Sequence, residues 1–235
     1  MVKLTVIDTE TTGIEADAKV VEIAGIPLEQ HPGMTRYQVG APVQTLVHPG
    51  VLIPATASAI HHITDADVRG APSFDDALHL FRGADIYVAH NAAFDRRFVG
   101  QLGDKWICTM KCAYEEFQYP EAPSYGNQAL SYWLGTPRPP EGTGHAHRAL
   151  YDCYTTLGIL DDLRSRGWTI ERMVEVSSRP RLLRVCTFGK HSDTPWADVP
   201  RSYLQWMDSQ GPAPDGSPAW DEDTTYTVRH YLGRS

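Results

Sequence analysis

No stretch of this sequence stays apolar for the roughly 20 residues that a bilayer-spanning helix needs, which excludes a chain built around such spans. Strand-like sequence begins by Leu4 with neither a basic n-region nor an apolar h-region before it, so no signal or transit peptide is expected. Cysteine is scarce. Cys108, Cys112, Cys153 and Cys186 form no C-x-x-C pair, which argues against a secreted disulfide framework and for reduced thiols in a cytoplasmic protein. Internal repeats and low-complexity tracts are absent, which leaves out solenoids and fibrous arrays. An excess of basic charge is missing too: the formal net charge is −8, the wrong sign for a generic polyanion binder.

What is present fits a folded domain. The 235 residues are 42% hydrophobic and 21% charged, enough for one well-buried domain of about 150 to 200 residues plus a small appendix. Val20–Ile26 and Ala41–Val47 read as strands, joined by a hairpin-type connection over Glu29–Gly40. A helix opens at Pro54, and Thr64 is placed to cap a further short one. The adjacent His61 and His62 suggest a metal, but a packing or loop role accounts for them equally simply. Ser73 caps a helix to about Phe81; Asp85–His90 is a strand, and Asn91 caps a helix with Phe94 and Phe98 on its core stripe. Trp106–Thr109 is a short strand, helices follow over Met110–Phe117 and Asn127–Leu134, and Tyr119–Gly126 connects them. A Pro- and Gly-rich loop over 135–144 leads into a helix that ends near Arg166. Strands alternating with helices around an early antiparallel meander make an α/β fold with a mixed sheet.

The densest chemical signal is the opening run Leu4-Thr5-Val6-Ile7-Asp8-Thr9-Glu10-Thr11-Thr12-Gly13. Side chains on a strand alternate, so Leu4, Val6, Asp8 and Glu10 share one face and a buried row ends on two carboxylates. Two such charges either raise a pKa or share a cation, and hard oxygen ligands suit Mg²⁺ or Mn²⁺. A solvated turn after an edge strand explains the pair alone equally well. Two further acids change the balance: Asp95 in the first turn of a helix after a strand, and Asp152 five residues after His147 at a helix start. For Asp95 alone, attraction to the helix dipole would suffice.

Asp8-x-Glu10, the strand-to-helix Asp95 and His147-x-x-x-x-Asp152, in that order, resemble the DEDDh branch of the DnaQ-like 3′-to-5′ exonucleases over residues 4 to about 166. The resemblance implies a ribonuclease H-like mixed sheet flanked by helices, two Mg²⁺ ions for which Mn²⁺ substitutes, and release of nucleoside 5′-monophosphates from DNA 3′ ends, single-stranded or duplex, in repair or end processing. It implies that Asp8, Glu10, Asp95 and Asp152 hold metal, with Asp8 bridging, and that His147 is the general base. His145 is a rival, but only His147 stands five before Asp152, and Tyr151 does not fit the tyrosine branch of the superfamily. It also implies substrate contacts at Thr9, Thr11, Gly13, His90, Asn91 and Phe94. Ile14 matches the position of an apolar side chain against the terminal base, or is a core residue at a turn; Arg148 reaches phosphate, or is a helix-surface residue. A polymerase proofreading subunit, an RNA-trimming exonuclease with RNA as partner, and a non-catalytic nucleic-acid-binding module remain as alternatives.

From Trp168 onward the texture changes, and a boundary falls near 168 to 180, dividing a nuclease domain at 1–168 from a small α+β appendix at 169–235. Residues 1–168 carry 13 Lys and Arg against 20 Asp and Glu, whereas 179–201 carry five basic residues against two acids, net +3. That segment either contacts DNA, with Lys190 of the Gly189-Lys190-His191 turn as the preferred phosphate contact, or only covers an apolar face of the first domain. Leu182–Phe188 reads as a strand, Gln210–Ser217 as a linker and Thr225–Leu232 as a helix, and Tyr203 and Trp206 are expected to pack that segment internally.

Overall fold

The computed structural model describes residues 1–31, 37–117, 122, 124–212, 216 and 218–234. Two compact units divide between Ser177 and Ser178.

The first unit is built on a mixed sheet. Its strands are β1 (Val2–Thr11), β2 (Val20–Gln30), β3 (Gln38–Val39), β4 (Val43–Leu46), β5 (Ile86–Ala89) and β6 (Trp106–Cys108), in the order β3-β2-β1-β5-β6 with β4 also on β2. β1 runs antiparallel to β2 and parallel to β5, which is parallel to β6. The antiparallel start is as the sequence predicts. Of the connection expected over 29–40, residues 32–36 lie outside the described residues. Alternation on β1 sorts its two faces as anticipated. Leu4 and Val6 enter one core cluster, with Leu130, Cys153, Leu157 and Leu160 from the helices over that face, while Ile7 enters another with Val20, Phe81 and Val99.

The helices are α1 (Ala55–His61), α2 (Phe74–Leu78), α3 (Ala92–Val99), α4 (Thr109–Glu116), α5 (Asn127–Leu134), α6 (Ala149–Ser165) and α7 (Ile170–Ser177). α6 crosses β1 and β2, close enough for the Cys153 thiol to lie 3.4 Å from the Ala24 carbonyl. Gly158 permits a second close approach. A Cβ there would sit 2.9 Å from Thr136 Cβ, so the loop leading to His147 lies directly on α6. Two local expectations fail. Thr64 starts turns and no helix, because its N–H and hydroxyl both go to Asp67. Asn91 precedes α3 in the left-handed region at φ 60° and its side chain makes no cap hydrogen bond. Of the connection expected over 119–126, residues 119–121 and 123 lie outside the described residues.

The division between Ser177 and Ser178 falls inside the expected 168–180 window, later than a domain end at 168. Trp168, Ile170, Met173 and Val176 all belong to the cluster that contains Leu4 and Val6, and Ser177 accepts the Cys108 N–H at 2.7 Å. An amphipathic helix carries its chain with the core that buries its face, so α7 is part of the first unit.

The second unit is helical, a correction to the α+β expectation. It holds α8 (Arg201–Asp208) and α9 (Glu222–Leu232) around Cys186, Trp196, Leu204, Met207, Val228 and Leu232. Leu182–Phe188 forms no strand: among the described residues its only β-type pairing is one bridge, Val185 to Pro195. α9 starts earlier than predicted because Asp221 caps it, accepting the Thr224 N–H at 2.8 Å. Residues 213–215 and 217 of the linker-like run lie outside the described residues. Among the described residues no helix is long and apolar enough to cross a membrane.

The revised boundary has a testable consequence. Burying an apolar side chain contributes about 1.5–3 kcal/mol, so losing Ile170, Met173 and Val176 approaches a domain's whole stability. A chain ending at Ser177 should melt cooperatively, and one ending at Trp168 should aggregate or melt without a transition. Equal melting curves would place α7 outside the folding unit.

Candidate active site

β1 carries its two acids to the end of the sheet, where β2 stays alongside only by a bulge between Glu10 and Thr11. α6 brings Asp152 over the same face. One carboxylate oxygen each from Asp8, Glu10 and Asp152 lies within 4.8 Å of the others, so the three acids that the sequence pattern joins do converge. Asp95, from the first turn of α3, is buried beside them. Its Oδ1 accepts the Thr9 N–H at 3.0 Å and the Thr9 hydroxyl at 2.8 Å. Burial and two strong donors go beyond dipole attraction: β1 holds Asp95 in place. Thr9 thus holds Asp95 through both its N–H and its hydroxyl.

The electrostatics follow from crowding. Burial first, and then Asp95, Asp152, Glu10 and Glu22, raise the Asp8 pKa well above the ordinary carboxylate range. Burial, Asp152, Glu22 and Asp95 lift Glu10 to about 8, against a smaller pull downward from Arg148. Burial lifts Asp95 to about 7 despite the Thr9 hydrogen bonds, and Asp152 to about 7 despite the His147 backbone N–H and the Gln128 amide that face it. A cluster of oxygen donors this acidic, with too little positive charge of its own, suits a hard divalent cation.

Arg148 does not supply that charge. Its Nε and Nη2 donate to Glu22 at 2.9 and 2.5 Å, and the Ala149 N–H donates to the same carboxylate at 3.0 Å. Gln44 completes the set at 2.7 Å. The fork is occupied, so the phosphate contact predicted for Arg148 is replaced by a structural one: Glu22 of β2 pins the start of α6, next to His147 and Asp152. Glu22 was missed by sequence reasoning, although a lone acid inside Val20-Val21-Glu22-Ile23-Ala24 signals a buried partner. Gln128, whose Nε2 lies 2.5 Å from Asp152 Oδ1, had no local signal at all.

His147 precedes the helix at φ 64°, outside the conformations a histidine prefers. Its side chain is exposed, and no hydrogen bond fixes the ring among the described residues. His145 is engaged elsewhere: Nδ1 donates to the Ala146 carbonyl and the ring packs on His62 at 4.4 Å. His61 is buried, its Nε2 3.3 Å from the Thr11 carbonyl, and burial lowers its pKa, so the packing explanation fits that residue. His90 is buried as well, with Nδ1 on the Thr109 hydroxyl and Nε2 on the Tyr125 carbonyl. Thr11 turns its hydroxyl to the Gly13 carbonyl at 2.7 Å. Beyond that turn Ile14 is 74% exposed, which settles it as a surface and not a core residue. Arg97 braces it, donating to the Ile14 carbonyl at 3.0 Å while lying 5.0 Å from the rings of Phe94 and Phe98. Asn91 is exposed and Phe94 half-buried near this turn.

Comparison with known proteins gives one consistent family. The Exonuclease family model matches residues 5–160. The chain is 37% identical to exodeoxyribonuclease 10 of Escherichia coli K12 across 97% of this chain and 98% of that protein. It is 33% identical to a DNA polymerase III subunit epsilon-like protein of Rhodobacter capsulatus, across 76% of this chain and 27% of that one. Among solved structures, exonuclease X in complex with 5′-overhanging duplex DNA superposes with a TM-score of 0.65 at 38% identity, covering 74% of this chain and 99% of that one. The nuclease domain of 3′hExo, a DEDDh family member bound to rAMP, shares the fold at a TM-score of 0.57 and 17% identity, covering 70% of this chain and 92% of that one.

Two measurements probe this geometry. Without metal, the folded state keeps protons on Glu10, Asp95 and Asp152 up to about pH 7 to 8, where the unfolded chain has released them near pH 4. The folded state binds more protons, so this cluster lowers stability as pH rises from about 4 to about 8. Mg²⁺ should therefore raise Tm more at pH 8 than at pH 6, and Asp8→Asn should raise Tm in EDTA at pH 8; equal Mg²⁺ shifts at the two pH values would contradict the crowding. Arg148→Ala strands the Glu22 carboxylate and should cost about 3 kcal/mol by denaturant titration, the lower end for a buried pair because Arg148 is partly exposed. A variant with native stability and a raised KM would return Arg148 to the substrate.

Proposed function

The chain belongs to the exonuclease family whose model spans residues 5–160, and from that premise we propose that it is a 3′-to-5′ exodeoxyribonuclease that removes nucleoside 5′-monophosphates from DNA ends. The observation that carries the reading is the meeting of Asp8, Glu10 and Asp152 within 4.8 Å, beside a buried Asp95 and an exposed His147. The neighbouring relatives are a named exodeoxyribonuclease and an exonuclease bound to DNA, which supports DNA as the substrate. The buried free thiols Cys108, Cys112, Cys153 and Cys186 accord with the reducing cytosol, where DNA end processing would place the enzyme.

Asp8, Glu10 and Asp152 would hold divalent cations, Mg²⁺ or Mn²⁺ by the chemistry of their oxygen donors, and Asp95 beside them would complete the set. When bound, such ions neutralise charge on the phosphate and acidify the attacking water. The protein's own residues do the rest. His147 takes one proton from the attacking water as its oxygen bonds to phosphorus; the bond from phosphorus to the 3′-oxygen breaks, and that oxygen takes up a proton from solvent, to which His147 later returns its own. An exposed imidazole, which can both accept and return a proton, suits this exchange. Glu22, Arg148 and Gln128 hold the start of α6 so that His147 and Asp152 keep their spacing. Ile14 lies against the terminal base, braced by Arg97, while Gly13, Asn91 and Phe94 line the approach; apolar contact with a base is tolerant of sequence.

The test is hydrolysis of 5′-labelled single-stranded and duplex DNA in Mg²⁺, with products separated by length. Stepwise loss of 3′ mononucleotides is expected, abolished by EDTA and by Asp152→Asn. His147→Ala should lower kcat by about 10²- to 10⁴-fold while keeping the Mg²⁺-dependent rise in Tm, whereas His145→Ala changes the rate little. Internal cuts, or equal effects of the two histidine variants, would overturn the assignment.

A further inference from the structure

The second unit carries a face that its own packing does not require. On α8, Leu204 and Met207 enter the core, yet Trp206 beside them stays 48% exposed. One exposed aromatic is ordinary, but this one is part of an array. Trp206 stacks on Tyr203 with ring centroids 5.1 Å apart and planes 29° apart, and Tyr203 meets His191 at 4.5 Å. Tyr203 is half-buried against the core, as the sequence predicts; Trp206 departs from that expectation. With Lys190, Pro200 and Ser202, these three rings line an open cavity of about 650 Å³, within the ~300–1,000 Å³ of small-ligand sites.

The polar groups there are uncommitted. Lys190 Nζ lies 4.9 Å from the Tyr203 ring centre and has no carboxylate partner among the described residues. His191 Nε2 is buried with no hydrogen-bond partner. The rest of the basic run is spent: Arg181 pairs with Asp223 at 2.6 Å, and Arg201 donates to the Leu232 carbonyl. The cation is thus a single ammonium beside a flat apolar surface, a chemistry that matches one nucleotide better than a broad polyanion. Gly189 keeps the array close. Its φ is +64°, and a Cβ there would lie 3.1 Å from the Tyr203 hydroxyl.

We propose that this face binds one unpaired nucleotide of single-stranded DNA, with the base on the open side of Trp206 and the adjoining phosphate at Lys190. The proposal rests on the DNA-exonuclease reading above, which supplies a substrate with exposed bases and a charged backbone. Base stacking on an aromatic ring is indifferent to base identity, as an enzyme that degrades any sequence requires. A second hold on the same strand also raises the effective concentration of its end, which favours long strands over dinucleotides.

The experiment uses the full chain in EDTA, where hydrolysis is off, titrating a labelled oligothymidylate of about 20 nucleotides. Trp206→Leu, which keeps apolar bulk and removes the π face, should weaken binding about 5- to 150-fold, and Trp206→Phe should restore most of it. Lys190→Gln should flatten the slope of log affinity against log salt by about 0.7, the share of one single-strand phosphate. All three variants should cleave a dinucleotide in Mg²⁺ at the wild-type rate. Unchanged oligonucleotide affinity in a natively folded Trp206→Leu overturns the proposal and hands the face to another partner, while equal losses on oligonucleotide and dinucleotide overturn it in favour of a purely structural role. Failure of catalysis is separable: a wild-type chain that binds through Trp206 without hydrolysing DNA removes the nuclease reading and leaves the nucleotide site.

Discussion

Four carboxylates meet where the central strand β1 ends, and their burial and mutual repulsion are the constraint on which the first unit depends. Asp8, Glu10, Asp95 and Asp152 each have a raised pKa, with burial the largest cause and neighbouring acids next. Such an arrangement is unfavourable for a bare protein and favourable for one that binds a divalent cation. The surrounding structure is spent on keeping the acids together: Thr9 grips Asp95 from β1, and Gln128 grips Asp152 from α5.

The same logic explains why the fold places an ion pair nearby without using it to neutralise the cluster. Glu22 is fully buried in β2, and Arg148, the Ala149 N–H and Gln44 all answer it. A buried acid satisfied this completely is a rigid anchor, whereas one left alone would be costly. It fixes the first residue of α6 against the sheet. His147 sits immediately before that anchor with a left-handed backbone, a strained geometry of the sort retained where position matters more than local comfort. His147 therefore carries an exposed ring on a backbone that stands next to the anchored start of α6.

The division of charge between the units has a parallel meaning. A site of crowded acids repels nucleic acid until cations bind, and net charge on residues 1–168 is negative. On the proposed reading, attraction to a strand comes from short-range contacts: the exposed Ile14 in the first unit, and the aromatic array with Lys190 in the second. Both are built from a flat or apolar surface beside a few polar atoms.

Much of this was legible from the chain because it depends on local geometry. Alternation along a strand is a property of the backbone, so Leu4, Val6, Asp8 and Glu10 had to share a face once the run was read as β; helix starts likewise placed Asp95 and Asp152 in early turns. The sheet's mixed character and its helical covering followed from the order of those periodicities. What local pattern could not decide was which partner each polar side chain takes. Arg148 looked free for phosphate until Glu22, 126 residues earlier, was brought beside it, and Thr9 looked free until Asp95, 86 residues later, claimed it. His90 looked free at a strand end and is locked between the Thr109 hydroxyl and the Tyr125 carbonyl. The unit boundary moved for the same reason, since α7 belongs to whichever core buries Met173. The sequence by itself determined which faces are apolar and which residues can ligate, because those follow from side-chain chemistry and backbone period. Only the tertiary structure decided which of them are occupied, because hydrogen bonds across such separations depend on sheet order and register, which no local pattern encodes.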